Sequence, residues 1–367
     1  MRWLEVLVQT DTKKINLTKP CIGQEEIDAA AAVLESGWVI RGAQTQALEK
    51  EFAEFVGAEH AVATNGCTMA LYLAIKRMNL TSEDEVIVPS LTWTATASVV
   101  IQAGAKPLFA DVKRDDWCLD PEDVRERMTD LTKLIVPVHY CSRFAGGFED
   151  FDVPVLFDSA HRIERDDFMG IPSCYSFYAV KNMTTIRGGM VVTDDEEAAR
   201  CYREGCHGGL AKDTLSRYQG VDAVDNPSSF YYEVEVPGWN FDMTDVEAAV
   251  GRKQLKKVEF FNSKRNEIVA RYNEAFGLNN GGNHMYVLLV ENRDEFLINM
   301  KKYGIQCGIH YLPLHLMKGY RYLDPDSLPV TEYIGERCVT IPLHPELSEE
   351  EVDYIIDCTR KYARIVV

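Results

Sequence analysis

Two kinds of segment alternate along the first 250 residues of the chain. Short runs that are almost wholly apolar, such as residues 85–89 (EVIVP), 107–111 (PLFAD) and 133–137 (KLIVP), are typical of strands buried on both faces of a parallel sheet. Between such runs lie segments with apolar residues at helical spacing, including residues 24–36 and 45–55. The alternation predicts an α/β domain with a mostly parallel central sheet and helices on both of its faces.

The second part of the chain has a different pattern. Residues 245–276 predict a long helical stretch that can bend, and residues 277–284 (GLNNGGNH) predict a turn. The remaining strand and helix signals, at residues 285–290, 293–303, 306–313, 339–343 and 349–362, predict a smaller α+β domain. We therefore expect a large domain of residues 1–250 and a small C-terminal domain of residues 251–367.

Composition excludes several classes of protein. The 367 residues are 46% hydrophobic and 10% aromatic, which is ordinary for a globular chain, and the net charge of -18 argues against nucleic acid or an anionic membrane as a partner. The ten cysteines include no CxxC pair, so we expect reduced core residues. No signal peptide and no apolar run near the roughly 20 residues of a membrane span is recognised. We expect a soluble cytoplasmic protein.

A lysine at a strand end is the first candidate for chemistry. Lys181 lies between a predicted strand at residues 174–178 and another at residues 188–193, at the mouth of a sheet. An ammonium group with apolar neighbours loses hydration and its pKa falls, which prepares the amine to form a Schiff base with an aldehyde cofactor. The alternative is a solvated lysine on a connecting loop.

An anion site is predicted near the start of the chain. Residues 60–64 (HAVAT) predict a strand. The next four residues, Asn65 to Thr68, predict a tight turn that leads from this strand to a helix beginning near Met69. Free backbone amides and the helix dipole favour an anion at such a junction, and the Thr68 hydroxyl adds a donor. Many ordinary α/β turns share this pattern, so the motif alone is weak.

Three more side chains follow predicted strands. Trp93 precedes a helix, where an indole can cover a planar ring, although a tryptophan there can equally belong to the core. The predicted strand at residues 153–157 is followed directly by Asp158 and, three residues later, by His161. Ligands bind at the carboxyl ends of strands in open α/β sheets. The alternative for this pair is a helix N-cap followed by a partly exposed histidine.

These residues together suit pyridoxal phosphate. Lys181 would hold the aldehyde, and Asp158 would keep the pyridine nitrogen protonated so that the ring accepts negative charge. Ser176 and Thr68 would hold the phosphate, and Trp93 would fix the ring plane. The order of these residues along the chain is the order that such a site would use.

The chain also resembles the DegT/DnrJ/StrS family of pyridoxal phosphate-dependent nucleotide-sugar aminotransferases over nearly its whole length. The matching stretches are INLTKPCIGQEEIDA, ESGWVIRG, VIVPSLTWTATASVV, AGAKPLFADV, DPEDV with TKLIVPVHY, LFDSAH, SFYAVKNMTT with GGMVVTDD, and PGWNFDMTDVEAAVGRKQL. The resemblance implies fold type I of the pyridoxal phosphate enzymes, as in aspartate aminotransferase. It also implies a homodimer with active sites at the subunit interface, and glutamate as amino donor.

The resemblance assigns a role to each site residue. Lys181 would form the Schiff base with pyridoxal phosphate, and pyridoxamine phosphate would be the intermediate between two half-reactions. Asp158 would contact the pyridine nitrogen, and His161 would lie near the ring hydroxyl. The remaining cofactor contacts would be Cys67, Thr68, Met69, Trp93 and Ser176, with Asn240 reaching the phosphate across the dimer.

The substrate is inferred from residues 304–321. Their HYLPLH sequence resembles relatives that act at C4 of 4-keto-6-deoxy sugar nucleotides, which implies substrate contacts from His310, Tyr311 and His315. The alternative is that these histidines are structural. A 3-keto sugar or an aminocyclitol remains a possible substrate class, and a non-catalytic regulator would be expected to have lost Lys181 or Asp158. No metal site is predicted, since the other histidines lack ligand spacing.

The chain departs from the family at several positions. Ile186 and Arg187 precede the paired glycines where Gly-Glu is common, and Arg41 and Asp242 also differ from the usual residues. We expect Arg187 to contact substrate and Arg41 to line the cleft beside it. The connection before Asp158 is short, so a helix on one face of the sheet is expected to be missing.

Overall fold

The computed structural model describes residues 14–211, 232–234, 236–323 and 325–366. Its helices are α1 (Gln24–Ser36), α2 (Ala43–Val56), α3 (Cys67–Lys76), α4 (Thr94–Ala103), α5 (Pro121–Arg127), α6 (Glu196–Cys206), α7 (Asp245–Leu255), α8 (Val258–Phe276), α9 (Arg293–Lys302), α10 (Pro329–Arg337) and α11 (Glu349–Tyr362). Its strands are β1 (His60–Thr64), β2 (Glu85–Pro89), β3 (Lys106–Ala110), β4 (Thr132–Ile135), β5 (Phe157–Asp158), β6 (Ser173–Ser176), β7 (Gly189–Thr193), β8 (Tyr286–Leu289) and β9 (Cys338–Ile341).

The strands of the large domain form one layer in the order β3-β2-β4-β5-β6-β7-β1. Strands β3, β2 and β4 pair in parallel, as do β5 and β6, whereas β7 is antiparallel to both of its neighbours. Single bridges from Ile135 to Val155 and from Val138 to Asp158 join the two groups. The predicted mostly parallel sheet is therefore confirmed.

Apolar side chains cover both faces of this sheet. On one face, α3, α4 and α6 contribute to a core that includes Val62, Val88 and Val191; on the other face, Phe52 of α2 packs edge-on against Tyr175 and Phe177. Alternate residues of β1 and β7 point into the two cores. This two-sided burial explains why the strands read as continuous apolar runs.

The short connection before β5 contains no helix, as predicted. Residues 143–156, all of them described, run without regular secondary structure. Apolar side chains cover the sheet instead: Phe148 is fully buried, and Phe144 and Phe151 pack beside it. Of the predicted strand at residues 153–157, only Phe157 lies in β5. The segment before it makes a single bridge, from Val155 to Ile135.

The long helical stretch at residues 245–276 is two helices. α7 ends at Leu255 and α8 begins at Val258, and the break is at Lys257, whose backbone angles are φ -109 and ψ -7. Gly251 lies in the middle of α7 and packs so closely that a Cβ there would be 2.6 Å from Cγ2 of Thr185. The division predicted at residue 250 thus falls inside a helix that packs on the large domain.

Asp245 explains how α7 is fixed to the rest of the large domain. Its buried carboxylate accepts hydrogen bonds from the backbone N–H of Gly42 at 2.8 Å and of Thr45 at 2.9 Å, and from the Thr45 hydroxyl at 2.7 Å. These donors are the otherwise unpaired amides at the start of α2. One residue of α7 therefore caps a second helix about 200 positions away in sequence.

The small domain is built around the antiparallel pair β8 and β9. Residues 306–313, predicted to include a strand, make only a bridge between Gly308 and Thr340. Asp111, at the end of β3, accepts hydrogen bonds from the first amides of α10, Val330 at 2.9 Å and Thr331 at 2.7 Å. This cap holds the small domain against the carboxyl edge of the large-domain sheet.

Ile186 has a strained backbone, and we predict that glycine there stabilises the protein. Its φ is 75°, in the left-handed region that costs an L-residue roughly 1–2 kcal/mol and a β-branched residue more. The side chain is 53% exposed, so little packing is lost. Glycine loses more backbone entropy on folding than isoleucine, and this offsets part of the gain. Ile186→Gly should therefore raise the free energy of unfolding by about 1 kcal/mol, as measured by urea denaturation.

Ile40 provides a matched control for this prediction. It is 50% exposed, and it is not among the described residues with positive φ. Ile40→Gly should leave stability unchanged or lower it by a few tenths of a kcal/mol. Equal effects of the two substitutions would show that the backbone at Ile186 is unstrained.

Candidate active site

Strand register brings the predicted site residues to one edge of the sheet. Thr64 at the end of β1 pairs with Gly189 at the start of β7, and Gly189 pairs with Ser176 at the end of β6. One strand further, Asp158 pairs with Cys174. The predicted phosphate turn, serine and aspartate therefore lie at the carboxyl ends of neighbouring strands.

The turn after β1 forms an open helix N-terminus. Gly66 is the N-cap of α3, so the backbone amides of Cys67 and Thr68 lack acceptors within the helix. Gly189 lies directly against this turn: a Cβ on it would be 2.3 Å from the Cys67 nitrogen and 2.5 Å from the Gly66 carbonyl carbon. The first of the paired glycines, Gly188, is equally confined by Thr185 at 2.3 Å. Glycine at position 189 is therefore required for β7 to approach the open amides at the start of α3.

Lys181 lies on the loop between β6 and β7, where its N–H donates to the Tyr178 carbonyl at 3.0 Å. The residue is half-buried, and burial is the main reason that its pKa falls to about 8. It lines a cavity of about 110 Å³ between the large domain, the N-terminal segment and the small domain. The other lining residues are Leu17, Thr18, Val180, His284, Met285, His310, Tyr311, Thr340, Ile341 and Leu343.

The lowered pKa of Lys181 predicts how cofactor loading depends on pH. Only the neutral amine attacks an aldehyde, and a lysine with a pKa of about 8 is about 10% neutral at pH 7 and mostly neutral above pH 8. The rate at which cofactor-free protein combines with pyridoxal phosphate should rise about tenfold per pH unit below pH 7 and level off above pH 8. Stopped-flow absorbance measures this rate, and a rise that continues to pH 10 would contradict the lowered pKa.

Asp158 is 4% exposed, and burial raises the pKa of its carboxyl group, although the nearby Lys181 charge and two hydrogen bonds oppose the rise. Its oxygens accept from Oγ1 of Thr96 at 2.8 Å and from the Ala160 N–H at 3.1 Å. No described residue forms an ion pair with it. A buried carboxylate in this state suits contact with a protonated ring nitrogen, which would supply the missing positive charge.

His161 lies in a stack of rings beside Lys181. Its Nε2 makes a 3.0 Å hydrogen bond with the Tyr311 hydroxyl, and its ring stacks on His284 at a centroid distance of 4.6 Å. Nδ1 is buried and has no hydrogen-bond partner among the described residues. Burial holds the pKa of His161 well below its usual range. The unpartnered nitrogen fits a nearby polar group of a cofactor, such as a ring hydroxyl.

Trp93 and Ser176 complete the side chains that fit the cofactor. Trp93 is the N-cap of α4, is 61% exposed, and lies 6.1 Å from Tyr311 between ring centroids. Ser176 is 7% exposed and lies across from Gly189 on the neighbouring strand. The open amides, the unpartnered imidazole nitrogen, the buried carboxylate and the lysine thus fit pyridoxal phosphate in their chemistry.

Two predicted cleft residues have other partners. Arg41 is 8% exposed, and its guanidinium donates two hydrogen bonds to Glu49 at 2.8 and 2.9 Å. It therefore supports the core beneath β1 and does not line the cleft. His315 is 3% exposed, with Nδ1 at 2.7 Å from Oγ of Ser90 and Nε2 at 3.2 Å from Glu332. Both ring nitrogens are occupied, which agrees with the structural alternative and not with a substrate contact.

The other departures lie near the surface. Arg187 is exposed and has no ion pair with any described residue, and it directly precedes the paired glycines. Asp242 contacts Nδ1 of His207 at 2.6 Å. Asn240 is exposed and forms a backbone bridge with His207. Among the described residues, no group of three or more His, Cys, Asp or Glu side chains could hold a metal ion, and no helix has the length and hydropathy of a membrane span.

Sequence reasoning missed His284 and Asn182. His284 lines the Lys181 cavity, and its Nδ1 lies 2.9 Å from Oδ1 of Asn182. The only signal in the sequence was the position of Asn182 directly after Lys181. His284 belongs to a loop that was predicted as a turn, and nothing local indicates that the loop reaches the site.

Comparison with known proteins gives concordant matches over nearly the whole chain. A model of the DegT/DnrJ/EryC1/StrS aminotransferase family matches residues 20–360. The spore coat polysaccharide biosynthesis protein SpsC of Bacillus subtilis is 36% identical, with 96% of this chain and 98% of SpsC covered. The structure of Helicobacter pylori PseC, an aminotransferase of pseudoaminic acid biosynthesis, matches with a TM-score of 0.86 at 26% identity, covering 95% of this chain and 99% of PseC. The aminotransferase TlmJ of Streptoalloteichus hindustanus matches with a TM-score of 0.83 at 28% identity, covering 95% and 98%.

Proposed function

This chain belongs to the DegT/DnrJ/EryC1/StrS aminotransferase family and is a pyridoxal phosphate-dependent sugar aminotransferase; on that premise we propose that it moves an amino group from glutamate to C4 of a nucleotide-linked 4-keto-6-deoxyhexose. The observation that carries this proposal is the position of Lys181. It lines a cavity together with His310 and Tyr311 of the HYLPLH segment, which resembles relatives acting at C4.

The proposed cofactor contacts are those that the family resemblance implies, and the geometry of the site is compatible with them. The phosphate would be held by the free amides of Cys67 and Thr68, by the Thr68 hydroxyl, by Ser176, and by Asn240 of the partner subunit. Met69 would lie beside it, since its own amide donates to the Gly66 carbonyl at 2.9 Å. Trp93 would cover the ring, Asp158 would contact its nitrogen, and His161 would lie beside its hydroxyl. When bound, pyridoxal phosphate supplies an aldehyde that carries the amino group and a ring that accepts negative charge.

Lys181 moves the protons of the reaction. Its pKa of about 8 makes the neutral amine far more abundant near pH 7 than in an ordinary lysine, and this amine takes the α-proton from glutamate and later returns a proton to the sugar carbon. The donor product, 2-oxoglutarate, leaves before the keto-sugar enters, so the kinetics are ping-pong. Asp158, held by Thr96 and Ala160, would face the ring nitrogen in both halves.

Substrate contacts are proposed from the cavity and its rim. His310 and Tyr311 line the cavity with Lys181, and burial lowers the pKa of His310 to about 4, so its imidazole is neutral and can bond sugar hydroxyls. Arg187 is exposed beside the paired glycines, and its charge would suit contact with an anionic nucleotide. His315 is not included, since both of its nitrogens are occupied.

We propose a cytoplasmic homodimer with shared active sites. Large apolar side chains near Lys181 are exposed in the single chain, namely Trp93 at 61%, Tyr178 at 54% and Val180 at 38%, and a second subunit would cover them. Asn240 has an exposed side chain that can reach the neighbouring site. All ten cysteines are free thiols, as expected in a reducing compartment.

An amino-transfer assay tests this proposal. Purified protein with pyridoxal phosphate and glutamate is offered nucleotide-linked 4-keto-6-deoxy sugars with UDP, dTDP or GDP, and product regiochemistry is read by NMR. We expect 2-oxoglutarate and a 4-amino sugar. Amination of 3-keto sugars alone would contradict the proposed C4 position. Amination of an aminocyclitol precursor, with no effect of added nucleotide, would contradict a nucleotide-linked substrate.

A further inference from the structure

A buried amide network lies directly behind Lys181. The side-chain nitrogen of Asn182 donates to Oδ1 of Asn262 at 2.8 Å and to Oδ1 of Asn283 at 3.1 Å. The oxygen of the same amide faces Nδ1 of His284 at 2.9 Å. All four residues are at most 6% exposed. The network joins the Lys181 loop to α8 and to the loop before β8.

The orientation of the Asn182 amide is fixed from two sides. Nδ2 of Asn262 donates to the backbone carbonyl of Ile163 at 2.9 Å, and a carbonyl oxygen can only accept. Nδ2 of Asn283 donates to the Glu164 carboxylate at 3.2 Å. Both neighbours therefore present an oxygen to Asn182, so that Asn182 must turn its nitrogen toward them and its oxygen toward His284.

This chain of contacts fixes the tautomer of His284. Because the Asn182 oxygen accepts, Nδ1 of His284 carries the hydrogen. Burial, with a smaller contribution from the Lys181 charge, holds the pKa of His284 well below its usual range, so the ring is neutral. Nε2 then has a lone pair and no hydrogen, and it has no hydrogen-bond partner among the described residues.

The donor and acceptor roles of the other polar groups that line the cavity are not fixed in this way. The Tyr311 hydroxyl is engaged with His161, and Nδ1 of His310 contacts Oγ1 of Thr340 at 2.8 Å, where either atom can donate. Nε2 of His284 is thus the one imidazole nitrogen of this described cavity that must accept a hydrogen bond. Lys181 lines the same cavity and carries N–H donors.

We propose that Nε2 of His284 accepts a hydrogen bond from Nζ of Lys181 once substrate has displaced that amine from the cofactor. The contact directs the lysine lone pair toward the substrate carbon while the amine moves its proton. His284 and Asn182 are then positioning residues, of which Asn182 acts by holding the His284 tautomer. This inference rests on the proposed amino transfer and adds to it the group that orients the lysine.

Nitrogen NMR tests the tautomer without any turnover. The full chain, labelled with ¹⁵N-histidine and free of cofactor, is compared with His284→Gln to assign the His284 signals. We expect a neutral ring protonated at Nδ1 in the natural sequence, and a mixture of tautomers in Asn182→Ala. A ring protonated at Nε2, or no change in Asn182→Ala, would overturn the inference and leave the proposed function standing.

Kinetics test the contact with Lys181. His284→Leu should lower kcat for amino transfer about 100-fold, the scale of a misplaced reacting group, with KM changed by less than about twofold. His284→Gln keeps a carbonyl acceptor and should recover most of the loss, and it also serves if the leucine variant does not fold. A raised KM with unchanged kcat would place the contact on the substrate and contradict the proposal. Absence of transfer by the natural sequence would instead contradict the proposed function.

Discussion

Replacing Lys181 by alanine is expected to abolish amino transfer. The side chain both binds the cofactor covalently and moves the proton at the reacting carbon, and loss of general acid–base catalysis alone costs about 100- to 10,000-fold. The protein should still fold, because the lysine lies on a loop and makes no side-chain hydrogen bond with the described residues. The measurement is 2-oxoglutarate formation from glutamate, together with the visible absorbance of lysine-bound cofactor.

Two further variants make this result interpretable. Lys181→Arg keeps a positive charge but cannot offer a neutral amine, so it should be as inactive as alanine. Lys301→Ala, which removes an exposed lysine on α9, should leave the rate unchanged. Turnover near the natural rate in Lys181→Ala would refute the assigned mechanism.

Replacing Asp158 by asparagine is expected to have the second largest effect. Asparagine has nearly the same shape, and its one oxygen can still accept from the Ala160 N–H while its nitrogen faces the Thr96 hydroxyl. It carries no charge to keep the ring nitrogen protonated. The rate should fall about 100- to 1,000-fold, as when one group that stabilises developing charge is removed. Cofactor binding through Lys181 should persist, so kcat and cofactor occupancy are measured on the same sample.

Thr96→Val is a graded control for this substitution. It removes the hydroxyl that donates to Asp158 at 2.8 Å and leaves the carboxylate charge in place. We expect a loss of about tenfold, which corresponds to one hydrogen bond to a charged group. A full rate in Asp158→Asn would show that the reaction does not depend on a protonated ring.

The sequence predicted the part of the site that strand ends determine. Thr68 and Asp158 follow apolar runs and Ser176 lies within one. Parallel strands bring their carboxyl ends to one edge of the sheet, so recognising the runs was sufficient to bring these residues together. The structure places these strands as neighbours, with Gly189 between the turn and Ser176. The predicted roles of these residues remain to be tested by the substitutions above.

Residues whose partners are distant in sequence could not be placed. His315 bonds Ser90, 225 positions earlier, and His284 bonds Asn182, 102 positions earlier. Neither contact leaves a periodic signal. Arg41 was expected in the cleft because it is a cation within the family stretch ESGWVIRG, where small or hydroxyl residues are usual, but its partner Glu49 lies on the buried side of α2. The break between α7 and α8 was also not located, since the adjoining residues, Lys256 and Lys257, are ordinary helix formers.

Peptide mapping after reduction tests the central claim most directly. The protein is loaded with pyridoxal phosphate, treated with borohydride to make the bond to the amine permanent, digested and analysed by mass spectrometry. The account predicts one cofactor per chain, attached to Lys181, and none after addition of glutamate before reduction. A label on another lysine, or no label on Lys181, would contradict it.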